Sequence, residues 1–135
     1  MALKILFSAD ETAHSMGYHT IAVALREVGM EVILGGAQIP REIAHTASQE
    51  GVDIIAYRIM AAHPPVLVSK LVKLLKEQED NIPIVVGGAI LPYQEEQLSE
   101  LGVIKTFPVG CLLEAVISFF VEFAAGDLLV DNNRN

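Results

Sequence analysis

Short apolar, β-branched runs alternate with helix-period segments along this chain, and few folds accommodate that alternation. Leu3-Lys4-Ile5-Leu6-Phe7, Met30–Leu34, Val52–Tyr57 and Ile82–Val86 read as strands one to four, with Val103–Phe107 as a short fifth. Between them apolar residues recur at helical spacing: Ile21, Ala24, Leu25 and Val28 in the first helical segment, and Leu67, Leu71, Leu74 and Leu75 in the third. The last helix carries Leu112, Val116, Phe119, Phe120 and Phe123 on one face, most simply as core packing. Pro40 suits the first turn of the second helix, and Gly29, Gly51 and Gly102 each follow a helical segment where a C-terminal glycine belongs. The helix between Tyr93 and Leu101 has the weakest signature. Near-continuously apolar strands separated by helices indicate a parallel sheet covered on both faces. The expected fold is therefore α/β: a flavodoxin-like, doubly wound (Rossmann-like) sheet of five parallel strands in the order 2-1-3-4-5.

A chain of 135 residues is one domain's worth and buries a core without disulfides or a structural metal. The domain is expected over residues 1–128, with a flexible polar tail over 129–135 that ends in Asp131-Asn132-Asn133-Arg134-Asn135. A net charge of −8 with no Lys/Arg cluster excludes nucleic acid as an expected partner. The single cysteine, Cys111, rules out an internal disulfide framework and suits a reducing compartment; it reads as a packed structural cysteine near the start of the last helix. Met1-Ala2-Leu3-Lys4 runs straight into a strand, and there is neither a signal-type apolar region nor a run of some 18 apolar residues. A cytoplasmic protein without a membrane span is expected.

In an open parallel sheet, ligands bind beyond the carboxyl ends of the strands. After strand one comes Asp10-Glu11-Thr12-Ala13-His14-Ser15-Met16-Gly17, after strand three Arg58-Ile59-Met60-Ala61-Ala62-His63, and after strand four Gly87-Gly88-Ala89. An imidazole at His14 can ligate a metal or a metal-bearing cofactor, or simply sit solvated on the rim. Strands one and three flank the switch point, so His14, Arg58 and Met60 are expected to converge on one crevice with Gly87-Gly88 as its side wall. The two glycines serve either close approach of a flat ligand or a turn that needs positive φ. Neither G-x-G-x-x-G nor the P-loop G-x-x-x-x-G-K-[ST] is present. A response-regulator receiver needs an acidic residue at the end of strand three, where Arg58 stands.

These segments resemble the cobalamin-binding domain of the methylmalonyl-CoA mutase family, which carries D-x-H-x-x-G after strand one, S-x-L after strand three and G-G after strand four. The corresponding residues are Thr12-Ala13-His14-Ser15-Met16-Gly17, Arg58-Ile59-Met60 and Gly87-Gly88, and the similarity covers roughly residues 3 to 123. The resemblance implies that His14 replaces the dimethylbenzimidazole base as lower ligand to the cobalt of cobalamin. It implies further that Gly17 lets the first helix start close to the corrin, and that Gly87-Gly88 walls a slot for the nucleotide tail between strands one and three. His19, His45 and His63 match no ligand position of that family.

Two positions depart from the family's pattern. Thr12 replaces the aspartate that bonds the ligand histidine, and a hydroxyl cannot supply its negative charge; Asp10 or Glu11 is placed to substitute through a loop shift. Arg58 replaces the serine that contacts the buried base. A guanidinium there must turn outward, find a carboxylate or meet a ligand phosphate, with an obstructed or altered slot expected.

The resemblance implies a cobalamin-binding small subunit of an adenosylcobalamin-dependent acyl-CoA mutase, a carbon-skeleton isomerase that is not active alone. A larger acyl-CoA-binding subunit would be its partner, since 135 residues hold no substrate-binding barrel as well; a homodimer is a further option. Two other readings stay open: a corrinoid carrier for methyl transfer, and a diverged regulatory domain that has altered or lost cobalamin binding.

Overall fold

Each helix returns the chain to the same end of the sheet, so that successive strands enter in parallel. In the computed structural model, which describes residues 2–126, the strands are β1 (Lys4–Ala9), β2 (Glu31–Ala37), β3 (Ile54–Ile59), β4 (Ile84–Gly88) and β5 (Lys105–Pro108). They form one parallel sheet in the order β2-β1-β3-β4-β5, as expected. The helices are α1 (Ser15–Glu27), α2 (Pro40–Glu50), α3 (Pro64–Glu77), α4 (Pro92–Glu100) and α5 (Leu113–Ala124). The expected domain boundary at 128 and the tail 129–135 lie outside the described residues.

Alternate side chains along each strand feed two cores. Ile5 and Phe7 of β1, Ile54 and Ala56 of β3 and Val85 of β4 meet α1 and α5 through Ala22, Leu25, Phe119 and Phe120. Leu6, Ile55, Tyr57 and Val86 face the opposite way, against Ile43 and Ala47 of α2, Val68 and Leu71 of α3 and Leu98 of α4. The aromatic stripe of α5 packs as core, with Phe119 set edge-on to Phe107 at 5.6 Å between ring centroids. Leu112 is the exception: it is the N-cap of α5 and is 68% exposed, because the helix begins one residue later. In α1 the buried face is Tyr18, Ala22 and Leu25, and Val28 is an exposed C-cap.

Every strand begins and ends later than the apolar runs suggest. Met30, Val52 and Val103 are buried but precede the ladder, filling the amino end of the core. At the other end the ladder continues past the apolar run, pairing Ala9 with Arg58, Arg58 with Gly87 and Ile59 with Gly88. Arg58 and the glycine pair therefore lie inside β3 and β4, not in the loops after them. Ser8, Arg58 and Gly87 interrupt the apolar runs, yet the ladder and the burial go on past them: Ser8, Ala9 and Ile59 are all buried.

Candidate functional site at the carboxyl edge of the sheet

The chain leaves β1 at Ala9 and enters α1 with His14 as N-cap. In this short loop the Glu11 carboxylate accepts the backbone N–H of Ala13 at 2.7 Å and bonds His14 Nδ1 at 2.9 Å. The bond to the imidazole holds the Glu11 carboxyl below its ordinary range, outweighing desolvation, which pushes it up. With Nδ1 committed to Glu11, Nε2 is the nitrogen left for a ligand, and the His14 side chain is 55% exposed. A carboxylate on the far nitrogen orients a ligating histidine and raises its basicity. Thr12 is exposed, and no side-chain hydrogen bond of its own is formed among the described residues. Of the two candidates in the sequence, Glu11 makes the carboxylate contact.

Asp10 is used differently. Its carboxylate accepts the backbone N–H groups of Met60, Ala61 and Ala62 at 2.8, 2.9 and 2.8 Å, while its own N–H donates to the Arg58 carbonyl at 3.1 Å. The loops after β1 and β3 are thus tied together by one side chain, a role the sequence did not announce. Met60 enters the site through its backbone in this tie and does not line the cavity beside it.

That cavity, about 180 Å³, lies between the sheet and helices α1 and α5. Phe7, Ala56 and Val85 form its floor, Leu25 and Phe120 its helical sides, and Gly87, Gly88 and Val109–Cys111 its mouth. It exists because the side-chain column on this face of β3 runs Ile54, Ala56, Arg58, and the small Ala56 lies in the layer below Gly87, where no Cβ projects. Pockets for whole drug-sized ligands span roughly 300–1,000 Å³, so this one suits a single ring system. Ala56 and the loop from Val109 to Cys111 were missed in the sequence, where an alanine in a strand and a glycine in a loop carry no distinctive signal. Cys111 is exposed at the lip, not packed as expected, because it precedes α5 and does not lie on its buried face.

Among the described residues Arg58 finds no carboxylate but a backbone carbonyl. Its Nη1 donates to the backbone carbonyl of His14 at 2.9 Å, and its guanidinium lies flush against Gly17 of α1. A Cβ at Gly17 would stand 2.8 Å from Nη2 and 3.3 Å from Cζ, so the glycine admits the arginine here. The guanidinium forms one wall of the cavity and leaves the space beside it open. Arg58, Gly87 and Gly88 line the cavity, and Arg58 connects it to Gly17 and to the His14 carbonyl, which themselves lie outside the lining. Among the described residues no group of three or more His, Cys, Asp or Glu side chains is placed to hold a bare metal ion, and no helix is long and apolar enough to cross a membrane.

Comparison with known proteins narrows what such an edge belongs to. The chain is 35% identical over 120 residues to the methylmalonyl-CoA mutase large subunit of Streptomyces virginiae, covering 87% of this chain but only 16% of that protein. It is 34% identical over 92 residues to the 2-hydroxyisobutanoyl-CoA mutase small subunit of Aquincola tertiaricarbonis, covering 67% of this chain and 68% of that one. Among solved structures, a signal receiver domain of a response regulator from Mycobacterium tuberculosis superposes with a TM-score of 0.71 at 12% identity, covering 93% of this chain and 98% of that one. A cobalamin-binding protein from Desulfitobacterium hafniense superposes at 0.63 and 18%, covering 78% of this chain and 52% of the other. At such identities these two superpositions show the fold alone. Sequence decides where shape does not: the profile of the B12 binding domain matches residues 3–110, and with mutase subunits as its relatives the chain belongs to the B12 binding domain family.

Proposed function

We propose that this domain binds a cobalamin with its own base displaced, His14 Nε2 serving as lower ligand to cobalt and the nucleotide tail entering the cavity beside Arg58. The observation that carries this reading is the His14–Glu11 pair, which engages Nδ1 and leaves Nε2 without a protein partner among the described residues, on a half-exposed side chain next to Arg58 of the cavity wall. The residues present fit the group. A corrin would bring nitrogen ligands of its own and ask a single histidine of the protein. Gly17 makes room for the Arg58 guanidinium beside the cavity, and Gly87 leaves the β4 wall free of a Cβ.

The likeness to a mutase small subunit supports a role as the cofactor-carrying subunit of an adenosylcobalamin-dependent acyl-CoA mutase, with a larger subunit holding the acyl-CoA. When bound, the cofactor supplies radical chemistry by homolysis of its cobalt–carbon bond. This chain's residues would ligate and orient: His14 would hold the cobalt through Nε2, the Glu11 carboxylate on Nδ1 would raise the basicity of that histidine, and the Asp10 tie orders the adjoining loop. Arg58 in place of a serine favours a second reading, a regulatory domain with altered cobalamin affinity.

The test is an absorption titration with hydroxocobalamin and adenosylcobalamin, followed by gel filtration, on wild type and His14→Ala. Wild type is expected to retain cobalamin with a base-displaced spectrum, and His14→Ala to lose that spectrum. Equal affinity and identical spectra for the two proteins would remove His14 from the cobalt; no retention by wild type would favour the regulatory reading.

A further inference from the structure

The cavity has one charged wall. A guanidinium carries five N–H donors in a rigid fork. Among the described residues, the Arg58 side chain makes one hydrogen bond, Nη1 to the His14 carbonyl, and no ion pair with a carboxylate. The side chains nearest it on the sheet face, Ala56, Val85 and Phe107, offer no acceptor. The guanidinium is seated on Gly17 and bonded to the His14 carbonyl, which places its donors at the cavity wall. A ring filling this cavity therefore lies along apolar side chains on one side and a donor-rich edge on the other. An apolar ring edge pressed against those donors strips their water and returns nothing, whereas a ring nitrogen or carbonyl accepts a charge-assisted bond.

The imidazole nitrogen that displacement frees accepts a hydrogen bond in either base, so a difference between bases must come from the six-membered ring. We propose that Arg58 reads that ring, selecting one with acceptor nitrogens, as in a purine, over the methylated carbocycle of dimethylbenzimidazole. This rests on the corrinoid reading above and narrows it from the cofactor class to one part of the cofactor. The tail's phosphate is also a partner for arginine, but it is common to every nucleotide-bearing corrinoid and cannot discriminate between bases. Selectivity between bases is therefore the property that separates the two contacts.

Three ligands decide it, titrated by absorption into the whole chain: cobinamide, which has no tail base; cobalamin, with dimethylbenzimidazole; and the cobamide with adenine in its place. Wild type is expected to bind the adenine form about tenfold or more tightly than cobalamin, the size of one charge-assisted hydrogen bond gained against one lost. In Arg58→Ser and in Arg58→Met, which keeps the stem and removes the donors, the preference should vanish or reverse. Cobinamide binding reports that each variant is folded with its His14 end intact. Equal wild-type affinity for the two bases, or a preference that persists in both variants, overturns the proposal. So does a variant that weakens both nucleotide-bearing forms alike relative to cobinamide, which assigns Arg58 to the phosphate. If wild type binds none of the three, the corrinoid reading itself fails and takes this one with it.

Discussion

Gly87 and Gly88 are adjacent on β4, yet replacing them with alanine should have unlike effects. Gly88 has φ of +116°, and a Cβ there would run into the Ile59 carbonyl oxygen while lying 2.9 Å from its carbon and 3.1 Å from the Ile59 nitrogen. Neither side can yield. Ile59 is fully buried and its carbonyl accepts Ala89 N–H at 2.9 Å; the Gly88 carbonyl accepts the N–H groups of Ile90 and Val109, each at 2.9 Å. Left-handed backbone on a residue with a Cβ costs about 1–2 kcal/mol, and overpacking against an immobile neighbour costs about 1–3 more. Gly88→Ala is therefore expected to lose about 3 kcal/mol from a total of the order of 5–15, lowering the melting temperature by roughly 10 °C for a domain of this size.

Gly87→Ala meets Phe107 O at 3.4 Å and Phe107 Cβ at 3.7 Å, ordinary contacts with no positive φ to strain. It should cost less than about 1 kcal/mol while placing a methyl group at the cavity mouth. Thermal and urea unfolding followed by circular dichroism, on both variants and wild type, measures the difference. A Gly88→Ala protein melting within about 3 °C of wild type, or a Gly87→Ala protein as unstable as Gly88→Ala, would refute the reasoning.

Three further residues carry expected outcomes. Glu11→Gln keeps the shape but removes the charge behind His14, and by analogy with other outer-shell carboxylates it should weaken cobalamin binding about 10–100-fold. Because the Glu11 pKa is lowered from 4.5, the stability this carboxylate contributes is present above that value and is lost as pH falls through the lower folded-state value; an acid limb unaltered in Glu11→Gln would contradict the assignment. Asp10→Ala frees three amides held at 2.8–2.9 Å, so hydrogen exchange at Met60, Ala61 and Ala62 should accelerate, with stability falling by about 2 kcal/mol; unchanged protection would show that the tie is not formed in solution. Burial first, and then the Asp10 charge, push Tyr57 from 10.0 up to about 12, so the stability it contributes is complete below pH 10.0 and is lost toward pH 12. That loss is roughly 3 kcal/mol at most; the difference in alkaline unfolding between wild type and Tyr57→Phe measures it, and a Tyr57 tyrosinate signal near pH 10.0 in the folded protein would count against it.

How far the sequence reaches depends on whether a property is carried by a residue or by a conformation. The sheet order was legible because five apolar runs separated by helices leave little choice of topology, and their burial follows from period alone. The strand ends were not, since Ser8, Arg58 and Gly87 break the apolar runs one residue before the ladder ends at Ala9, Ile59 and Gly88. His14 stands out by position and residue type. Its partner does not: Thr12 occupies the motif position, and only the turn of the loop brings Glu11 to Nδ1. Arg58 was conspicuous as a misfit, but its resolution depends on Gly17 in another element leaving room for the guanidinium. The glycine pair could be read two ways from sequence, and the two members divide the roles: Gly88 for the backbone turn, Gly87 for the open wall.

The same backbone also superposes on receiver domains, so what separates this chain from them must be local to the carboxyl edge. A receiver needs a free carboxylate at the end of its third strand; here that position is a cation, and the acidic residues after β1 are already engaged. Asp10 is consumed by three backbone amides and Glu11 by an imidazole. Charge that could gather around a bare divalent cation is instead spread into ordering a loop and aiming a histidine. The second difference is steric: Ala56 and Gly87 hollow out the face beneath α1 and α5, which larger side chains at those two positions would fill. An oriented imidazole and a ring-sized hollow are two features that a metal-centred macrocycle with an aromatic tail requires together. The imidazole is no part of either core, so the fold does not call for a histidine at that position.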